Sequence, residues 1–229
     1  MKKFELTAES KINIFGKKLF RIKALISFGD VEEGETGGWI EKEENLEQSS
    51  GNAWVYGNAE VYGNARVYGN ADVYGNARVY GNAEVYGNAW VYGNARVYGN
   101  AWVYGNAEVY GNAEVYGNAR VSGNADVSGN AEVYGNAEVY GNARVSGNAE
   151  VSGNADYTTI HGFGTQFRTT TFFQCEDKQI RVSCGCFLGT IPEFREQVKN
   201  TREGKIAEEY LMIADLMEKH FVKEKESGE

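Results

Sequence analysis

Residues 51–68 read GNAWVY-GNAEVY-GNARVY, and the same phrase, Gly-Asn-Ala-x-Val-Tyr, continues with almost no drift to Val151. Valine recurs every six residues from Val55 to Val151, which makes seventeen units. Fixed turn residues at a short fixed period mark a solenoid. Within each unit x-Val-Tyr reads as a very short strand, with valine pointing to one side and its two neighbours to the other. Gly-Asn is then the corner: glycine takes positive φ without a Cβ penalty, and asparagine tolerates left-handed geometry better than most residues. Alanine, four positions after each valine, is small enough for the inside of a tight corner. A helix is excluded, because Gly-Asn every six residues would break it.

The spacing aliphatic, x, x, x, small, x resembles the hexapeptide signature of left-handed β-helix proteins, best known from bacterial acyltransferases. That resemblance implies an all-β solenoid, a left-handed parallel β-helix with three units per triangular coil, so that residues eighteen apart stack on one face at about 4.8 Å. Seventeen units then give about six coils, a prism roughly 28 Å tall at that spacing. The variable position would line the first face with Trp54, Asp72, Trp90, Glu108, Asp126 and Arg144. The second would carry Glu60, Arg78, Arg96, Glu114, Glu132 and Glu150, and the third Arg66, Glu84, Trp102, Arg120 and Glu138. The position after valine also points outward and would stack Tyr62, Tyr80, Tyr98, Tyr116 and Tyr134 into a ladder on the second face. One valine per unit is a thin core, so backbone ladders, interior alanine, asparagine corners and stacked tyrosines must supply further cohesion. The alternating charges of the third face read as register and solubility chemistry, since exposed pairs contribute only about 0–1 kcal/mol.

Around the repeat at residues 51–156 the chain divides into an N-terminal segment, 1–50, a C-terminal segment, 157–222, and a short tail, 223–229. A solenoid end exposes strand edges and apolar interior, so both ends need covers. Strand-like stretches at Lys3–Leu6, Ile12–Phe15 and Leu19–Ile26, with Gly16-Lys17 as a hairpin turn, predict a small N-terminal β cap. Ile40 and Leu46 are six apart but Leu46 and Val55 are nine apart, so Gly37-Gly38-Trp39 opens an irregular first coil. Residues Leu19, Ile22, Ala24, Leu25, Phe28, Asp30, Val31, Gly34 and Gly37–Ile40 resemble uncharacterised bacterial hexapeptide-repeat proteins classed as acetyltransferases, in which a segment ending in Gly-Gly-Trp runs into the repeats.

After Asp156 the phrase fails. Phe167–Phe173 and Ile180–Cys186 read as a hairpin around Glu176-Asp177-Lys178, and Thr190-Ile191-Pro192-Glu193 is a capping box with proline in the first turn. Ile206, Tyr210, Ile213, Ala214, Met217 and Phe221 share one face of a second helix. A β-hairpin and two helices are thus expected to close the lower end, with a frayed tail from Lys223. The Cys184-Gly-Cys-Phe-x-Gly-Thr190 stretch is similar to C-terminal modules of phage and prophage proteins.

A formal charge of −9 argues against direct nucleic-acid binding, which needs a positive surface. No apolar run approaches the roughly 20 residues that span a bilayer, and MKKFELTAES has basic residues but no apolar run of a signal peptide after them, so a cytoplasmic protein is expected. Cys175, Cys184 and Cys186 are an odd number in one region, which suits a reducing compartment. Cys175 falls on the order of 13 Å from Cys184 along the expected hairpin, too far for a shared zinc ion, so no metal is expected.

Hexapeptide acyltransferases generally use a histidine beside the coil and a loop that builds the acyl-donor pocket, and this repeat has neither. His161, just below the last coil, is the sole candidate general base, with acyl-CoA as the implied donor. The favoured expectation is a non-catalytic scaffold, without a cofactor, that docks a protein partner or assembles with itself, as a homotrimer for instance. Its interaction surface would comprise Trp54, Trp90 and Trp102 with the ladder Tyr62, Tyr80, Tyr98, Tyr116 and Tyr134. The alternative to both is an acidic nucleic-acid mimic inhibiting a host enzyme through the evenly spaced Glu114, Glu132 and Glu150.

Overall fold

The structure, a computed structural model, describes residues 2–221. The expected frayed tail at 223–229 lies outside the described residues. The repeat forms seventeen two-residue strands, β4 (Trp54–Val55) through β20 (Glu150–Val151), with no insertion between them. The first fourteen each pair in parallel with the strand eighteen residues on, from Val55 opposite Val73 to Val133 opposite Val151. Three sheets result, and the residues along each are those assigned to the three faces from sequence. The fold is a parallel β-solenoid of about six turns.

Between the two ends, valine and alanine fill the interior. Every repeat valine from Val55 to Val151 and every repeat alanine from Ala53 to Ala143 is buried to 1% exposure or less, forming one continuous core. The corners lock one coil to the next. The N–H of each asparagine from Asn64 to Asn130 donates to the glycine carbonyl of the following coil at 2.7–2.8 Å. The strands add two further backbone bonds per unit, as in Glu84 N–H to Ala101 O and Tyr86 N–H to Val103 O, both 3.0 Å. Outside the backbone, asparagine amides bond to each other along the corners, Asn88 Nδ2 donating to Asn106 Oδ1 at 3.0 Å. The glycines hold φ near +70°, and a Cβ on any from Gly63 to Gly129 would come within 2.8–3.1 Å of the glycine backbone one coil on. The corner therefore requires glycine twice over, for its backbone conformation and for the closeness of the coils.

At the upper end β1 (Phe4–Ile12) and β2 (Lys18–Ala24) form an antiparallel hairpin, and β2 pairs with β3 (Thr36–Ile40), which continues in parallel onto the strand Glu60–Val61. Of the stretch Ile12–Phe15, expected as a strand, Ile12 is the last residue of β1 and the remainder is the hairpin turn: the Asn13 side chain accepts from the N–H of Phe15 and Lys17, which bends the chain there. The irregular first coil is as expected, with Ile40 over Val61 and Leu46 over Val67. Gly37 and Gly38 serve close packing. A Cβ on Gly37 would lie 2.6 Å from Ile22 and Trp54, and one on Gly38 would lie 2.6 Å from Val55.

The lower end is closed by a four-stranded antiparallel sheet, β21 (Tyr157–Phe163), β22 (Arg168–Gln174), β23 (Ile180–Cys184) and β24 (Phe187–Thr190), followed by α1 (Ile191–Thr201) and α2 (Gly204–His220). The expected hairpin is β22–β23. The two outer strands escape a sequence reading because the polar Thr158-Thr159 pair in β21 and the four-residue length of β24 leave little alternating pattern. Adjacent phenylalanines divide between two cores: Phe173 joins the solenoid interior and Phe172 the core beneath the helices. Open edges of the last coil find partners here, Arg144 N–H donating to Thr171 Oγ1 at 2.9 Å and Tyr157 Oη to the Glu138 carbonyl at 2.6 Å.

Two glycines separate the two demands on the corner. Gly87 has φ +76° and the next coil 2.9 Å from a built Cβ, whereas Gly141 has φ +71° and open space around it. Gly141→Ala should cost about 1–2 kcal/mol, the left-handed backbone penalty alone, and Gly87→Ala about 1–3 kcal/mol more from overpacking. Urea midpoints of the two variants measure this, and equal losses would show that coil spacing plays no part.

Candidate interaction surface

Tyrosines stack on all three faces because their strand positions repeat at the coil spacing. Tyr62, Tyr80, Tyr98, Tyr116 and Tyr134 form the longest ladder, with ring centroids 4.9–5.1 Å apart and planes within 6° of parallel. Shorter ladders run through Tyr74, Tyr92 and Tyr110 and through Tyr68, Tyr86 and Tyr104. They stop where serine replaces tyrosine, at Ser128 and Ser122.

About half of the repeat phenols are tied down. Six of them donate to the carboxylate sixteen residues on, at the variable position of the next coil: Tyr68 to Glu84, Tyr92 to Glu108, Tyr98 to Glu114, Tyr110 to Asp126, Tyr116 to Glu132 and Tyr134 to Glu150, at 2.6–3.1 Å. Sequence reading missed this bond, although a tyrosine-to-acid spacing of sixteen was present to be found. Burial first, and the carboxylate bond second, push the phenols of Tyr68, Tyr92, Tyr98 and Tyr116 well above the ordinary tyrosine range.

The structure divides the expected aromatic surface. Trp54 is fully buried, edge-on to Phe4 and Phe28 beneath the N-terminal cap, and Tyr62 is 4% exposed against Leu19 and Trp39. Both are removed from the candidate surface, since the cap that closes the prism needs an aromatic floor. Trp90 and Trp102 remain, at 45% and 37% exposure, in one coil but on two faces. Trp90 lies between Asp72 and Glu108 in register, and Trp102 between Glu84 and Arg120, whose guanidinium sits 4.9 Å from the Trp102 ring centre. Tyr80, Tyr98, Tyr116 and Tyr134 are half-buried, each offering a ring edge.

The acidic row is less anionic than its sequence. Glu114 is held by the Arg96 guanidinium as well as Tyr98, and Glu150 by Lys178 at 2.8 Å as well as Tyr134, which leaves Glu132 alone of the three without a cation among the described residues. His161 is exposed on β21, its Nδ1 3.2 Å from Thr169 Oγ1. Cys175 is buried at the solenoid end opposite Ala149, while Cys184 sits opposite Thr170 at the far end of the β22–β23 ladder. Among the described residues no three metal-ligating side chains converge, and no helix is long and apolar enough to cross a membrane.

Raised phenol pKa values have a signed consequence. Unfolded tyrosine ionises near 10, so the stability these phenols contribute is complete below that pH and is lost as pH rises beyond it. An alkaline titration should show ladder tyrosinates appearing only together with loss of the β-sheet circular dichroism, in one steep step above about pH 10. Gradual ionisation with the dichroism intact would contradict the burial described.

The family model described as YdcK Beta solenoid repeat matches residues 59–75, 71–87, 77–93, 89–105, 113–129 and 137–153. No curated protein matches the chain. The matched windows lie within the run of two-residue strands and describe β-solenoid repeats as such, without singling out hexapeptide acyltransferases. The chain is a β-solenoid repeat protein.

Proposed function

We propose that this protein is a non-catalytic scaffold whose repeat surface docks a protein partner, with Trp90 and Trp102 as anchors. One observation carries the reading: in a repeat that ties six of its phenols to carboxylates, these two indoles stand out exposed at neighbouring faces of one coil. Exposed tryptophan is the residue most often found at the energetic centre of interfaces. The flanks suit such a role. Asp72, Glu84, Glu108 and Arg120 form a charged rim around the two rings, and polar rims around aromatic centres are how interfaces are built.

The rigid three-sided form supports presentation over catalysis, because no loop leaves the repeat to enclose a substrate. The partner is a different protein or further copies of this chain, a homotrimer being one arrangement that three-sided prisms allow.

The test compares Trp90→Ala/Trp102→Ala with Glu114→Gln/Glu132→Gln/Glu150→Gln. Light scattering on the purified protein reports self-association, and affinity capture from host lysate reports a foreign partner. The tryptophan variant should keep the native circular dichroism and lose at least about tenfold in affinity, as hot-spot truncations do, while the glutamine variant binds normally. Loss of binding in the glutamine variant alone would favour acidic mimicry and sink the scaffold reading, as would a strict monomer that captures nothing.

A further inference from the structure

The C-terminal cap holds a cavity of about 420 Å³ between the β21–β22 turn, the β23–β24 turn and α1, within the range of small-molecule sites. Its walls are unusual for this chain. The protein carries 32 acidic residues against 23 basic ones, yet among the described residues the lining contains Arg168 and Arg202 and no carboxylate. Neither arginine has an acidic partner within ion-pair distance among the described residues; the Arg202 guanidinium donates to the neighbouring Thr201 carbonyl, at 2.9 Å.

Arg168 and Arg202 line the cavity together with the Tyr210 phenol, which burial pushes upward and the two guanidinium charges pull back down. The apolar part of the lining is Phe187, Phe194 and Val198, with the two rings 5.5 Å apart. The backbone is arranged to place Arg168. Phe167, immediately before Arg168, holds φ +47°, a left-handed conformation rare for an aromatic residue, and such strain collects at functional sites. Gly185 leaves the space that Arg168 Nη1 occupies, which a Cβ there would overlap.

We propose that this cavity binds a small organic anion, a carboxylate or phosphate on an apolar body, with Arg168 and Arg202 gripping the anionic group and Phe187, Phe194 and Val198 covering the remainder. Arginine forks match both anions in geometry, and two of them in one cavity supply more donors than a single anion oxygen can use. The site is remote in sequence from Trp90 and Trp102, so its occupancy is independent of the scaffold reading.

Calorimetric titrations of the full chain with phenyl phosphate, phenylacetate, inorganic phosphate and phenol test it. Saturable binding of phenyl phosphate or phenylacetate, at least about tenfold tighter than either inorganic phosphate or phenol and weakened about tenfold by Arg168→Gln or Arg202→Gln, is expected. The tighter of the two aryl anions identifies the group that is read. Cys186 gives a second readout, being exposed and in the same wall. The bound anion should slow its alkylation by iodoacetamide in the native protein and not in the double arginine variant. Absence of binding by both aryl anions, equal affinity for phenol, or unchanged affinity and protection in the double variant would overturn the proposal.

Discussion

Everything in the solenoid depends on the bond between the corner asparagine N–H, repeated from Asn64 to Asn130, and the glycine carbonyl of the following coil, at 2.7–2.8 Å. It can form only if two corners approach until no Cβ fits between them, and only if the chain turns through positive φ at that point. Glycine alone satisfies both conditions. Once the corners are superposed, valine must fall on valine and tyrosine on tyrosine, so the dry core and the stacked exterior are consequences of one contact repeated.

Such regularity moves the specification of the fold to its ends. Where every coil resembles its neighbours, register is weakly defined by the repeat itself. The N-terminal hairpin breaks that degeneracy by burying Trp54 under Phe4 and Phe28, and the C-terminal sheet does so by inserting Phe173. Both caps also give hydrogen-bond partners to strand edges that would otherwise invite aggregation.

The repeat was legible because its period is strict and its residues have mechanisms: the faces, the inward valine and alanine and the main tyrosine ladder all follow from spacing. Helix α1 was legible from the Thr190–Glu193 capping box, which the structure forms reciprocally. The burial of Trp54 and Tyr62 was not legible, because spacing places a residue on a face but says nothing of what lands on that face from elsewhere. The arginine cavity was hidden for the same reason. Arg168, Phe187 and Arg202 come from three separate elements, brought together only by the packing of the cap.

Eighteen residues therefore make one interchangeable coil. Removing Val73 through Trp90 and measuring the product by thermal circular dichroism with small-angle scattering tests this directly. A single cooperative melt is expected, from a particle shorter by about 4.8 Å, one strand spacing. Loss of the cooperative transition, or an unchanged length, would contradict it.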